Sequence, residues 1–166
     1  MNFETQRLKF RKYNDDDFDY LFSLLSDPEM VRYIGDGNTK DAKSTTDFLK
    51  WIYSTYDDGP DRGLMVLENK EDNTRIGHAG LVPQTVNGVD VLEIGYWISR
   101  KHWGKGYATE AAKALKNYGL IDLGEDRLVS LIQPNNMASK MVAIKIGMGF
   151  DKEIVLGNQK VHIHST

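Results

Sequence analysis

Two hydrophobic periods alternate along the chain. Residues 8–11 read as a first short strand, and after them Phe18, Leu21, Phe22 and Leu25 recur at i, i+3, i+4 and i+7, the apolar stripe of a helix. Asn14 stands where its side chain caps that helix, with Asp17 at the third helical position. Asp27-Pro28-Glu29 predicts a second helix with proline at its first position, and residues 44–56 a third. Strand patterns follow at 64–67, 75–86 and 89–99. Asn87-Gly88 between the last two predicts a two-residue hairpin, because both residues accept positive φ. Residues 107–118 predict a helix, 127–132 a strand, and Pro134-Asn135-Asn136 opens a helix that ends at Gly147. Residues 154–156 and 161–163 predict a closing hairpin around Gly157-Asn158, while 35–38 and 57–61 are rich in turn formers. Strand, helices, antiparallel meander, helix, strand, helix and hairpin together predict an α+β domain on a mixed, mostly antiparallel sheet flanked by helices.

Composition narrows the class. A chain of 166 residues fits one domain, 1–166, with a proper core. Hydrophobic residues at 40% and charged residues at 27% fit a soluble globular protein. The sequence has no cysteine, which excludes disulfides, thiolate nucleophiles and cysteine zinc sites and suits a reducing, cytoplasmic home. A net charge of −3 and a pI of about 5.8 weigh against a nucleic-acid binder. The N-terminal Met-Asn-Phe-Glu-Thr does not read as a signal peptide, and no apolar window is long enough to span a membrane.

The chemistry concentrates after the third meander strand. Glu93-Ile94-Gly95-Tyr96-Trp97-Ile98-Ser99 leads through a short basic connection to Trp103-Gly104-Lys105-Gly106-Tyr107-Ala108-Thr109-Glu110, a glycine turn that opens a helix. Such a turn presents unpaired N–H groups and a partial positive charge to a phosphate or pyrophosphate. It would equally serve as a plain strand-to-helix turn. A Walker A loop needs Gly-Lys-Ser/Thr, which is absent, and a Rossmann fingerprint needs a third glycine where Thr109 stands. Downstream, Asn136 can cap the late helix and places Ser139 in its first turn.

Other groups carry weaker signals. His162 and His164 alternate on one strand face, too few for a metal site, and none is expected. His78 and the aromatic run Trp51, Tyr53 and Tyr56 read as packing first and acceptor groove second. The run Asp15-Asp16-Asp17 reads as the charge preference of a helix N-terminus.

Taken together these motifs resemble the GNAT superfamily of acetyltransferases, in particular the branch that acetylates the N-terminal alanine or serine of ribosomal proteins. Glu4-Thr5-Gln6-Arg7-Leu8, Asp27-Pro28-Glu29-Met30, Tyr33-Ile34-Gly35, the two segments above, and Asn136-Met137-Ala138-Ser139 with Val142, Lys145 and Gly147 carry the likeness across nearly the whole chain. The resemblance implies acetyl-CoA as cosubstrate and a primary amine, such as a protein N-terminus, as acceptor. A homodimer is compatible with it. The family's pyrophosphate loop falls on Trp103, Gly104, Lys105, Gly106, Tyr107 and Ala108, followed by Thr109, with Trp103 in place of Gln or Arg. The resemblance further implies that Trp97, Ile98 and Ser99 pair with the pantothenate arm and that Asn136 lies near the thiol. Glu93 is then the general base, and Ser139 the group that protonates or hydrogen-bonds the departing sulfur. The family's usual tyrosine acid falls on Ala143, and its usual phenylalanine on Met148. An acyl-CoA-binding module without turnover is the alternative.

Overall fold

A computed structural model of the chain describes residues 3–166; Met1 and Asn2, the start of the segment read above for a leader, lie outside them. The described strands are β1 (Phe3–Glu4), β2 (Leu8–Lys12), β3 (Gly63–Asn69), β4 (Arg75–Val86), β5 (Val89–Ile98), β6 (Val129–Ile132), β7 (Gly149–Leu156) and β8 (Gln159–Ser165). They form one sheet in the order β1-β2-β3-β4-β5-β6-β8-β7. Every pairing is antiparallel except that of β5 with β6. The helices are α1 (Phe18–Leu25), α2 (Pro28–Val31), α3 (Ala42–Tyr56), α4 (Tyr107–Asn117) and α5 (Met137–Lys145).

Local chemistry explains most boundaries. Asn14 accepts the N–H of Asp16, and Asp17 reaches back to the N–H of Asn14, so the capping box forms over a short 3-10 turn that feeds α1. Asp27 and Asp41 cap α2 and α3 in the same way. The β4–β5 hairpin turns on Asn87 and Gly88 at φ 48° and 80°. Helix α4 widens into a π-type turn over Tyr118–Asp122, which a 3.6-residue period does not foresee. The two-residue β1 escapes any periodic signal, and the start of β7 at Gly149 leaves no apolar pattern because its first five residues are exposed.

The sheet buries both faces. Leu21, Leu25 and Ile52 from α1 and α3 pack on Leu64, Val66 and Val82 on one side. Ala111, Ala112 and Leu115 of α4 and Ala143 of α5 pack on Met65, Leu81, Ile94 and Ile98 on the other. Each fully buried Leu or Ile contributes about 1.5–3 kcal/mol. Met148, at the family's usual phenylalanine position, is buried in the core.

One expectation needs correction. Asp15 and Asp16 are exposed, as a helix start allows, but the Asp17 side chain is fully buried. It holds Arg11 through two 2.8 Å hydrogen bonds and Arg75 at 3.1 Å, tying β2 and β4 to the entry of α1. Burial alone would raise its pKa, yet the bonds from Arg11, the Asn14 N–H and Arg75 hold it below the usual carboxylate range.

Candidate active site

The site begins where two strands stop pairing. β5 and β6 share a single register position, Glu93 opposite Val129. The β4–β5 register is unbroken, and the Ser99 N–H donates to the Ile76 carbonyl. Antiparallel geometry then turns the main chain of the odd-numbered β5 residues toward β4. Ile94, Tyr96 and Ile98 face β6. At the fork two side chains take over from the ladder. The Leu131 N–H donates to Glu93 Oε2 at 3.3 Å, and Ser130 Oγ donates to the Ile94 carbonyl at 3.1 Å. Beyond this point the strands part around a cleft of about 890 Å³.

This alternation places the strand edge facing the gap at Tyr96 and Ile98, one step out of phase with the expected run Trp97, Ile98 and Ser99. Ser99 is buried, and its Oγ lies 2.6 Å from the Tyr20 hydroxyl. Trp97 sends its ring to the α3 side, 5.9 Å from Phe48. Trp103 folds back, its indole N–H donating to the Ile98 carbonyl at 2.7 Å.

The glycine loop closes one end of the cleft. Gly104 and Gly106 stand at φ 74° and 80°, left-handed values that glycine takes without steric cost. Gly106 is the N-cap of α4 and offers no capping side chain. Among the described residues, no group accepts the N–H of Gly104, Gly106, Tyr107 or Ala108. Consecutive free donors at a helix start form an anion cradle. Gly104, Gly106, Tyr107, Ala108 and Thr109 line the cleft, whereas Lys105 is exposed outside that lining. The sequence reading missed Arg7, whose guanidinium lies 4.3 Å over the Tyr107 ring and 3.3 Å from Glu110. Only tertiary structure brings that cation to the loop.

At the other end, Glu93 and Ser139 both line the cleft. Glu93 Oε1 accepts from Gln84 Nε2 at 3.2 Å. Burial pushes the Glu93 carboxyl above the usual carboxylate range, while the bonds from Gln84 and Leu131 pull the other way. Asn136 Oδ1 accepts the Ser139 N–H at 3.2 Å, so its oxygen is spent as the α5 cap and its amide nitrogen is left for the cleft it lines. The Tyr96 hydroxyl donates to the Ser139 carbonyl at 2.9 Å and fixes that turn against β5. Ala143 is fully buried.

The remaining candidates separate. His78 is buried off the cleft, 2.6 Å from the Tyr13 hydroxyl, and burial pushes its pKa down to about 3. His162 meets Glu153 at 2.8 Å, and His164 is buried. Among the described residues no three His, Cys, Asp or Glu side chains form a metal-holding group, and no helix is long and apolar enough to cross a membrane. Tyr56 and Tyr53 pack and hydrogen-bond within the α3 side, whereas Trp51 reaches the cleft wall.

Comparison with known proteins agrees with this geometry. The family model described as acetyltransferase (GNAT) domain matches residues 7–149. The chain is 36% identical over 161 residues to the uncharacterized protein YkkB of Bacillus subtilis (strain 168), covering 96% of this chain and 92% of that one. The structure of an acetyltransferase from Agrobacterium tumefaciens str. C58 superposes with a TM-score of 0.84 at 25% identity, over 99% of this chain and 92% of that one. The ribosomal L7/L12 α-N-protein acetyltransferase RimL in complex with coenzyme A shares the fold, with a TM-score of 0.78 at 14% identity over 98% and 94% of the two chains.

Proposed function

The chain belongs to the GNAT acetyltransferase family, and we propose that it transfers the acetyl group of acetyl-CoA to a primary amine by direct attack of the amine on the thioester. The observation that carries this reading is the run of free N–H groups at residues 106–108, opening α4 at the mouth of a forked sheet. Those donors fit a diphosphate without any side chain, and Trp103, which also lines the cleft, is tied to the Ile98 carbonyl. The Tyr96 main chain and the Ile98 N–H offer partners to an extended pantetheine arm, as an added strand would use them.

An amine attacks only when neutral, and the reference pKa of an α-amino group is about 8. Glu93 takes the amine proton, directly or through one water, and its raised pKa brings it nearer the working range of a general base. As the C–N bond forms and the C–S bond breaks, the Ser139 hydroxyl hydrogen-bonds or protonates the departing sulfur. No group among the described residues bonds Ser139 Oγ, so it is available for that role. Holding amine and thioester in line supplies a large part of the acceleration.

Free-thiol release from acetyl-CoA against an amine panel tests the reading. The panel includes peptides that begin with Ala or Ser, since RimL acts on a protein α-amine. Thiol release with at least one amine is the expected result. Acetyl-CoA binding without release for any amine would instead identify a binding module. Calorimetry showing no affinity for coenzyme A or acetyl-CoA overturns both.

A further inference from the structure

On the acetyl-transfer reading, we propose that the acceptor is an aromatic monoamine, its ring seated over Gly95 and its amine at Glu93. Glu93, Gly95 and Trp97 share one face of β5, the face toward α3, with Gly95 about 6–7 Å along the strand from each neighbour. A ring over Gly95 with a two-carbon arm therefore places its nitrogen beside the Glu93 carboxylate.

Gly95 itself points to an occupant. Its φ is not positive, so the backbone does not require glycine there. A Cβ built at Gly95 would meet Leu64 Cδ2 and Val82 Cγ2 at 3.5 Å and Glu93 Oε1 at 3.9 Å, ordinary contact distances. Neither conformation nor packing excludes a side chain. What glycine leaves is a shallow apolar step on the cleft lining, in contact reach of Leu64, Val82 and the reacting carboxylate.

The wall beside this step is aromatic. Trp97 lies 5.9 Å from Phe48 at 31°, and Phe48 lies 5.3 Å from Trp51 at 59°. Trp51 is 37% exposed although it lines the cleft, so it has apolar face to offer. An aromatic guest on such a wall gains stacking beyond its buried area, and an aliphatic amine does not. Charge argues the same way. Among the described residues the cleft carboxylates are Glu29 and Glu93, and Glu29 stands three residues from Arg32 on the same rim. A polyamine needs several carboxylates along its length, and this wall supplies one, at the reaction point.

The test measures kcat/KM by thiol release for 2-phenylethylamine, tryptamine, ethylamine, spermidine and Ala- or Ser-starting peptides. The arylethylamines are expected to exceed ethylamine and spermidine by about tenfold or more. Trp51→Ala and Gly95→Leu should each raise KM for 2-phenylethylamine about tenfold, with acetyl-CoA affinity by calorimetry unchanged within about twofold. Gly95→Ala, which fits at ordinary contact distance, should give a smaller loss in the same direction and guards against misfolding of the leucine variant. Spermidine or the peptides matching the arylethylamines, or KM unmoved in all three variants, overturns the aromatic acceptor and leaves acetyl transfer standing. Absence of turnover with every amine takes both down.

Discussion

At the scale of single residues, Glu93 has two tasks. Its carboxylate accepts the Leu131 N–H that the interrupted ladder leaves over, and on the proposed mechanism it is the base at the cleft it lines. Glu93→Gln keeps an acceptor for Leu131 but cannot take a proton. Turnover is expected to fall about 10²–10⁴-fold, with acetyl-CoA affinity by calorimetry within about threefold. The stability effect has the opposite sign. A carboxyl whose folded pKa is raised contributes stability below its unfolded pKa and loses it as pH rises through the folded value. At neutral pH the ionised group therefore costs stability, and the glutamine variant should match or exceed the parent in denaturant midpoint. A variant that retains full turnover would remove Glu93 from the base role. Ser139→Ala should lower kcat while leaving KM for acetyl-CoA nearly unchanged, because its hydroxyl is assigned to the leaving sulfur and not to the diphosphate. A rise in that KM with kcat unmoved would contradict the assignment.

At the scale of elements, the loop and first turn of α4 work as a unit. Gly106 caps the helix at φ 80°, where a β-branched side chain is strained by about 1–2 kcal/mol. Gly106→Val should weaken acetyl-CoA binding by calorimetry at least about tenfold, roughly the equivalent of 1.4 kcal/mol, because the strain must turn donors out of the cradle. Unchanged affinity would mean the diphosphate lies elsewhere. This loop was legible in the sequence, since the glycines, the preceding strand and the following helix each leave a local pattern. The fork was not. It depends on Glu93 and Ser130 side chains replacing ladder bonds, and no periodicity records which hydrogen bond a side chain intercepts. The gap-facing edge includes Ile98 of the expected run Trp97–Ser99 together with Tyr96, because main-chain direction follows from the β4 register and not from residue type. Arg7 was read only as part of an opening strand, although it sits 103 positions before its partner Glu110 and against the phosphate-loop helix. Asp17 was read as one of three equivalent acids. Its burial between Arg11 and Arg75 comes from sheet packing that a charge run cannot reveal.

At the scale of the whole molecule, buried titratable groups shape the pH dependence of stability in opposite directions. His78 lies in the layer between the sheet and the α1–α3 face, against Trp97 at 4.7 Å and the Tyr13 hydroxyl. Burial lowers its pKa from 6.5 to about 3. Below pH 6.5 the unfolded chain binds a proton that the folded chain refuses, so stability falls as pH drops, by about 1.4 kcal/mol per unit from this group. Asp17, held below its ordinary range, adds to the loss at the acid end, because its stabilisation exists only while it is ionised. Glu93 works in the opposite sense: its contribution is present below its unfolded pKa and is lost as pH rises through the raised folded value, so its slope opposes that of His78 and Asp17. His78 and Asp17 together predict an acid limb that starts above the carboxylate range, offset in part by Glu93. Denaturant midpoints measured from pH 7 to pH 4 for the parent and for His78→Gln check the origin of that limb. The glutamine is neutral throughout and can still accept from Tyr13, so its curve should be flatter by about one proton's worth of slope between pH 6 and pH 4. Parallel curves would place the acid sensitivity outside His78 and return it to the carboxylates alone.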